Sequence, residues 1–287
     1  MTSPNDTGNR LTYDAAGMAG RFERTTLTPG LPLGAPSPGS SFSDLIDSLG
    51  LTPRIDITGG APGTVTAPEG TTVLALRYGK GVVMAGDRQA TEGHLVAHRH
   101  IQKVFEADRH SAVAIAGTAG LAIEMVRLFQ TELEHYEKIE GVVLSLEGKA
   151  SFLARLVRQQ LPMVFQGLAV VPIFAGYDRL ADTGRLFTYD VVGGRYEEQD
   201  FGATGSGARL AKSYLRTAYT DDIDREGAVD LAVRALVAAA DDDTATGGPD
   251  VRRGILPTVL TIDVAGGRWV PAAEISTMAV AALDATR

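Results

Sequence analysis

Hydrophobic and polar positions change rhythm several times along the chain. Thr72-Val73-Leu74-Ala75-Leu76-Arg77-Tyr78 and Val82-Val83-Met84-Ala85-Gly86, joined by Gly79-Lys80-Gly81, predict a β-hairpin, because apolar, β-branched runs broken by a glycine turn suit a pleated ladder. Residues 95–105 and 112–116 predict further short strands, the second so uniformly apolar that it should be buried on both faces. The period then lengthens. Leu121, Met125, Leu128, Phe129, Leu133 and Tyr136 share one helical face, with Glu124, Arg127, Gln130 and Glu134 opposite. A second helix is predicted over 146–161, with Phe152, Leu153, Leu156 and Val157 inward and Pro162 beyond its end. Strands return at 169–176, 185–192 and 195–201, helices at 208–219 and 226–240, and a last strand pair at 258–264 and 268–271. Residues 277–286 read as a helix or a frayed tail. Strands, two helices, strands, two helices, strands is not the alternation of a Rossmann sheet; it predicts an α+β fold of antiparallel sheets covered by helix pairs.

Before residue 70 no such rhythm exists. Eight of the 13 prolines fall there, and residues 30–41 form a Pro/Gly/Ser stretch in which missing donors and fixed φ values defeat both helix and ladder. The stretch reads as a linker. One island breaks it: Phe42, Leu45, Ile46 and Leu49 recur at helical spacing between Ser41, a suitable N-cap, and Gly50, a suitable C-terminal stop. A two-turn helix of that kind needs an apolar surface to dock on.

Length alone suggests two domains. At 44% apolar and 22% charged the composition is ordinary and globular, and 27 basic against 35 acidic residues (net −8) gives no attraction to nucleic acid or to an anionic membrane. No run nears the roughly 20 apolar residues that span a bilayer, and the polar start does not read as a secretory signal. The expectation is a soluble cytoplasmic protein. Without cysteine there is no disulfide, no thiolate zinc site and no thiol nucleophile.

Several apparent motifs lack their partners. His94, His98 and His100 resemble a metal cluster but sit in strand-like sequence with no acidic or thiolate set, so no metal is expected. Asp241-Asp242-Asp243 resembles the start of a calcium loop, yet Ala245 and Arg252 stand where ligands belong. Gly205-Ser206-Gly207 lacks the outer glycines of a hydrolase nucleophile elbow, which Thr204 and Ala208 replace, and no phosphate-cradling glycine motif is present. No cofactor is implied.

Glu69-Gly70-Thr71-Thr72 lies where the aperiodic leader meets the first strand. If the Gly70–Thr71 bond is cut, Thr71 acquires an α-amine with an ordinary pKa of about 7.7–8.0, suited to take a proton from its own hydroxyl. Glycine at 70 is then expected to supply a strained turn that lays its carbonyl over that hydroxyl. The same residues are also what a plain turn into a β-branched strand looks like.

Further motifs join this junction: Gly86-Asp87-Arg88-Gln89-Ala90-Thr91, Lys103, Ala116-Gly117-Thr118-Ala119-Gly120, Gly205-Ser206-Gly207 and Asp243-Thr244-Ala245-Thr246-Gly247. In combination and spacing, residues 71 to about 270 resemble a proteasome β subunit of the actinobacterial type. The resemblance implies a four-layer αββα sandwich, the N-terminal-nucleophile hydrolase fold. It also implies a propeptide over 1–70, removed by autocatalytic cleavage, and a catalytic domain over 71–287. Length would then mean one domain and a disposable leader.

Carried over by position, the resemblance makes Thr71 the nucleophile with its α-amine as base, Lys103 the cation beside the hydroxyl, Asp87 the group that holds that lysine, and Gly117 the backbone donor to the oxyanion. Ser206, Asp243 and Thr246 would order the amine and a water, Thr246 standing where the family more often has serine. Thr91 and Ala119 would pair their backbones with an extended peptide. Ala90, Ile101, Ile115, Ala119 and Ile123 would line the first specificity pocket, whose apolar character implies chymotrypsin-like cleavage; the three isoleucines could equally be strand core.

Further implied are seven-membered rings of β subunits stacked in pairs, capping rings of proteasome α subunits, an ATP-dependent unfoldase, and substrates tagged with a small ubiquitin-like protein. Met125, Leu128 and Phe129 could serve ring contacts or the core. A non-catalytic ring-building subunit would lack the threonine, the lysine or the junction, and the simpler two-ring bacterial peptidase is shorter and lacks so long a leader.

Overall fold

The computed structural model describes residues 70–92 and 95–285. The leader up to residue 69, including the helix expected at 42–49, and His94 lie outside them. The predicted hairpin is present as β1 (Thr72–Tyr78) and β2 (Gly81–Gly86). Next come a small hairpin of β3 (Ala90–Glu92) and β4 (Leu95–His98), and then β5 (Val104–Asp108) and β6 (Ser111–Gly117). Helices α1 (Ala119–Glu140), α2 (Leu146–Gln159) and the short α3 (Leu161–Val164) lead to β7 (Val170–Asp178), β8 (Thr183–Tyr189), β9 (Arg195–Glu198) and β10 (Phe201–Gly205). Helices α4 (Ala208–Ala218) and α5 (Arg225–Asp242), strands β11 (Thr258–Asp263) and β12 (Gly266–Trp269), and α6 (Ala272–Ala285) complete the order.

Two five-stranded antiparallel sheets result, ordered β10-β1-β2-β11-β12 and β5-β6-β7-β8-β9. Side chains alternate across each strand, so every central strand feeds two cores. Val73, Ala75, Val82, Met84, Ala112, Ala114, Ile173, Leu260 and Ile262 point between the sheets. Leu74, Leu76, Val83 and Val259 face outward against α4, α5 and α6. Val113, Ile115, Phe174 and Phe187 face outward against α1 and α2. These are the four layers of an αββα sandwich, and both sheets are covered on both faces, which is why their central strands carry almost no polar residue.

The helices begin and stop where their caps dictate. The Ser145 hydroxyl accepts the Gly148 N–H at 3.1 Å to start α2, and the Asp224 carboxylate accepts the Gly227 N–H at 2.8 Å to start α5. Gly141, at φ +69°, ends α1. No helix among the described residues is long and apolar enough to cross a membrane.

Three sequence expectations are corrected. Residues 95–105 are not one strand: β4 is exposed along its length, the chain breaks at 99–103, and β5 joins the second sheet. The break lets the Lys103 side chain turn inward while its carbonyl accepts the Ile115 N–H at 2.9 Å. Residues 195–201 likewise divide at Gln199-Asp200, where the chain crosses from the second sheet (β9) to the first (β10). On α1, Met125 and Phe129 are buried in the core whereas Leu128 and Tyr136 are exposed, the buried stripe running instead through Ala122, Met125, Val126, Phe129 and Leu133. Of the three residues weighed for ring contacts, only Leu128 is therefore exposed. Of the two readings of the C-terminal end, the helix is the one present, with Ile275, Ala279 and Ala282 buried.

Phe174 anchors the second helical core, edge-on to Phe129 at 5.8 Å and stacked near Phe187 at 6.1 Å. Phe174→Ala should lower the unfolding free energy by about 3–5 kcal/mol, while Leu128→Ala should change it by less than about 0.5 kcal/mol; urea titration measures both.

Candidate active site

The site is assembled at one end of the sandwich by chain segments that leave their sheets there. Thr71 immediately precedes β1, Asp87 follows β2, Lys103 precedes β5, and Gly117 ends β6. Ser206 lies in the β10–α4 turn, Asp243 caps the C-terminal end of α5, and Thr246 follows in the next loop. Strand pairing and the loop after α5 together gather residues up to 175 positions apart in sequence.

Asp87 is fully buried, and both of its carboxylate oxygens are occupied. Oδ1 accepts the Thr72 N–H at 2.9 Å and the Lys103 ammonium at 2.6 Å; Oδ2 accepts the N–H groups of Gln89 and Gly247, both at 2.9 Å. Lys103 is 2% exposed, and its ammonium also donates to the Gln89 carbonyl at 2.5 Å. A buried ion pair is tolerable only when its remaining hydrogen-bonding positions are filled, as they are here. With Asp87 so committed, the lysine is held at the wall of a small cavity that it shares with Thr71.

A second polar group stands on the other side of Thr71. The Ser206 N–H donates to the Thr71 carbonyl at 2.8 Å, and the Ser206 hydroxyl donates to Asp243 Oδ2 at 2.6 Å. The Thr246 hydroxyl reaches the same oxygen at 2.5 Å, and Asp243 Oδ1 accepts the Ala245 N–H at 3.1 Å. Threonine at 246 thus makes the hydroxyl contact for which serine would serve.

The cavity beside Thr71 is lined by Ala90, Ile101, Gln102, Lys103, Ile115 and Gly117, and by Ala119, Ala122 and Ile123 from the start of α1. All five residues expected to line the specificity pocket are present. Ile115, 4% exposed, also belongs to the core against α1 and α2, and Ile123 packs on that core, so both line the cavity and pack the core at once. Thr91 is not in this lining; it stands beside Gly70, whose N–H its hydroxyl accepts at 2.8 Å. Two larger openings, along α1 and α2, contain no residue of the site.

Two glycines of the site have a local reason. Gly117 has φ +107°, and a Cβ there would meet the Ala169 carbonyl oxygen at 2.0 Å, so the close approach that demands glycine comes from the residue just before β7. Gly70 is not among the positive-φ glycines. What excludes a side chain at Gly70 is space, since a Cβ would lie 2.0 Å from Ala245 Cβ.

Sequence reasoning missed Thr72, whose hydroxyl pairs with Thr246, and the Gln89 carbonyl and Gly247 N–H that complete the Asp87–Lys103 pair. Backbone groups carry no side-chain signal. Gln102 and Ala122 also escaped; Ala122 could have been found, being one helical turn from Ala119. Of the histidine motif, His94 lies outside the described residues and His98 is at the exposed end of β4; among the described residues no three His, Asp or Glu side chains are grouped to hold a metal ion.

Asp87→Asn removes the charge that compensates buried Lys103. It should cost about 3–5 kcal/mol of stability, read as a lowered thermal midpoint of the folded chain.

A family model for proteasome subunits matches residues 67–251. The chain is 51% identical to the proteasome subunit beta of Acidimicrobium ferrooxidans, over 90% of this chain and 94% of the relative. It is 52% identical to that of Jonesia denitrificans over 86% and 82%, and 51% identical to that of Streptomyces griseus over 92% of each. With a matching fold and these relatives, the chain belongs to the proteasome subunit family, among the actinobacterial β subunits.

Proposed function

We propose that the chain is a catalytic β subunit, a threonine endopeptidase made as a precursor and activated by cleavage between Gly70 and Thr71. The observation that carries the proposal is the shared cavity: Thr71, the paired Lys103 and Gly117 line it together with apolar side chains. A hydroxyl, a fixed cation, a strand-end glycine and an apolar pocket are the parts that acyl transfer on a peptide requires.

In the precursor, the Thr71 hydroxyl attacks the Gly70 carbonyl carbon, the C–N bond breaks, and the acyl group passes to oxygen as an ester. Water cleaves the ester, leaving a carboxylate on Gly70 and a free α-amine on Thr71. That amine then accepts the hydroxyl proton during attack on a substrate carbonyl, and Lys103 favours the developing alkoxide. The Gly117 N–H meets the oxyanion, and the Ser206, Asp243 and Thr246 group orders the amine and a water. While the leader is attached the base does not exist, so activity is withheld. The similarity to the Streptomyces griseus subunit extends over 267 residues, more than the stretch 71–287 contains, and so reaches into the leader.

The pocket's alanines and isoleucines favour cleavage after large apolar residues. The resemblance to the family supports an assembly of β rings of seven stacked in pairs, with α rings outside them and an ATP-driven unfoldase supplying tagged, unfolded proteins in the cytoplasm.

Intact-mass measurement tests the proposal on protein assembled with a proteasome α subunit. Wild type should lose residues 1–70 and Thr71→Ala should keep them; a wild type that retains its leader, or a Thr71→Ala chain cut at Gly70, overturns the mechanism. Gly70→Ala, with no room beside Ala245, should slow leader loss by about tenfold or more, followed by the same mass measurement.

A further inference from the structure

Thr72 is fully buried, and its four polar contacts reach both halves of the site. Its N–H donates to Asp87 Oδ1 at 2.9 Å and its carbonyl accepts the Asp87 N–H at 3.2 Å, which joins it to the lysine arm. Its hydroxyl lies 2.6 Å from the Thr246 hydroxyl and accepts the Gly207 N–H at 2.9 Å, which joins it to the arm of Ser206, Asp243 and Thr246.

The direction of the hydroxyl pair can be worked out. An ionised carboxylate only accepts, so the Thr246 proton is committed to Asp243 Oδ2, 2.5 Å away. The Gly207 N–H can only donate, so it occupies a lone pair of Thr72 Oγ1. The contact between the two hydroxyls then requires the Thr72 proton to point at Thr246. A single directed chain results, running from Gly207 N–H through Thr72 and Thr246 to Asp243, where the Ser206 proton also ends. The geometry leaves no slack. A Cβ at Gly207 would lie 2.6 Å from both threonine hydroxyl oxygens, so the turn that offers this N–H has no room for a side chain.

We infer that Thr72 is a positioning residue: its hydroxyl fixes Thr246 on Asp243, and its backbone fixes Asp87 and thereby Lys103, so that one residue sets both arms relative to Thr71. The inference rests on the catalytic reading above. Hydrogen bonds in series polarise one another, so removing the Thr72 proton weakens the Thr246 donor and leaves more negative charge on Asp243. An Asp243 of greater negative charge stabilises a nearby ammonium, which raises the pKa of the Thr71 α-amine. The base is then available only at higher pH.

The test is hydrolysis of a fluorogenic peptide with a large apolar residue before the scissile bond. Rates are taken across pH on the α-assembled protein and expressed per leader-free subunit counted by intact mass. Thr72→Val should lower kcat by about tenfold with KM within about twofold, and should move the acidic limb of the kcat profile to higher pH. Thr72→Ser, which keeps the hydroxyl, should restore both. A Val variant that never sheds its leader, beside a Ser variant that does, is the same result at its extreme. If Thr72→Val does not assemble, Thr72→Cys keeps the buried volume with only a weak donor and should give an intermediate kcat; a wild-type rate there overturns the inference. So does a Val variant with wild-type kcat and pH profile, or a Ser variant as impaired as Val. Thr71→Ala is assayed in parallel. An inactive Thr71→Ala beside a fully active Thr72→Val overturns this inference alone, whereas an active Thr71→Ala overturns the catalytic reading and this one with it.

Discussion

A carboxylate taken wholly out of water must have its lone pairs answered, and at Asp87 that requirement organises the end of the molecule where the site lies. Four donors meet it: the backbone at 72, the ammonium at 103, and the backbone at 89 and 247. They come from the start of β1, the break before β5, the β2–β3 connection and the loop after α5, so the carboxylate is satisfied only when both sheets and the helical layer beside the first are in place. Removing it would strand a buried cation, at a cost comparable to much of the stability of an ordinary domain. The same demand puts the lysine beside Thr71, so folding and the preparation of the site are one event.

The sandwich makes this arrangement possible because its strands are doubly buried. Alternating side chains on β1, β2 and β6 fill the space between the sheets on one side and the helical cores on the other, leaving polar groups only at strand ends. Chemistry therefore collects at strand ends, where the backbone leaves the ladder and its N–H groups become available. Gly117 shows the local form of this constraint: its φ of +107° turns the chain out of β6 toward α1, in a space too tight for any side chain. The cavity next to it shares Ile115 and Ala122 with the core against α1 and α2, so Ile115 lines the cavity and packs that core together.

Much of this was legible in the sequence, and the failures have physical reasons. Periodicity located β1, β2, β6 and the long helices because their burial is regular. It failed at residues 95–105 and 195–201, where apolar runs continue although the chain leaves one sheet, and a pattern of side chains records burial and not which sheet provides it. On α1 it assigned Leu128 and Tyr136 to the buried face, since both fall near the apolar stripe and only the position of the sheet shows where the stripe ends.

By itself the chain determined the antiparallel α+β class and the set of motif residues from Gly70 to Thr246, because each is encoded in residue type and local spacing. Only the tertiary structure decided that two of those glycines are required by the space around them, Gly70 by Ala245 and Gly117 by the Ala169 carbonyl. Only it brought Thr72 into contact with residues 174 positions away. A hydrogen bond from a backbone N–H, or between two hydroxyls, is set by distance and direction, and neither is written in the identity of the residues that make it.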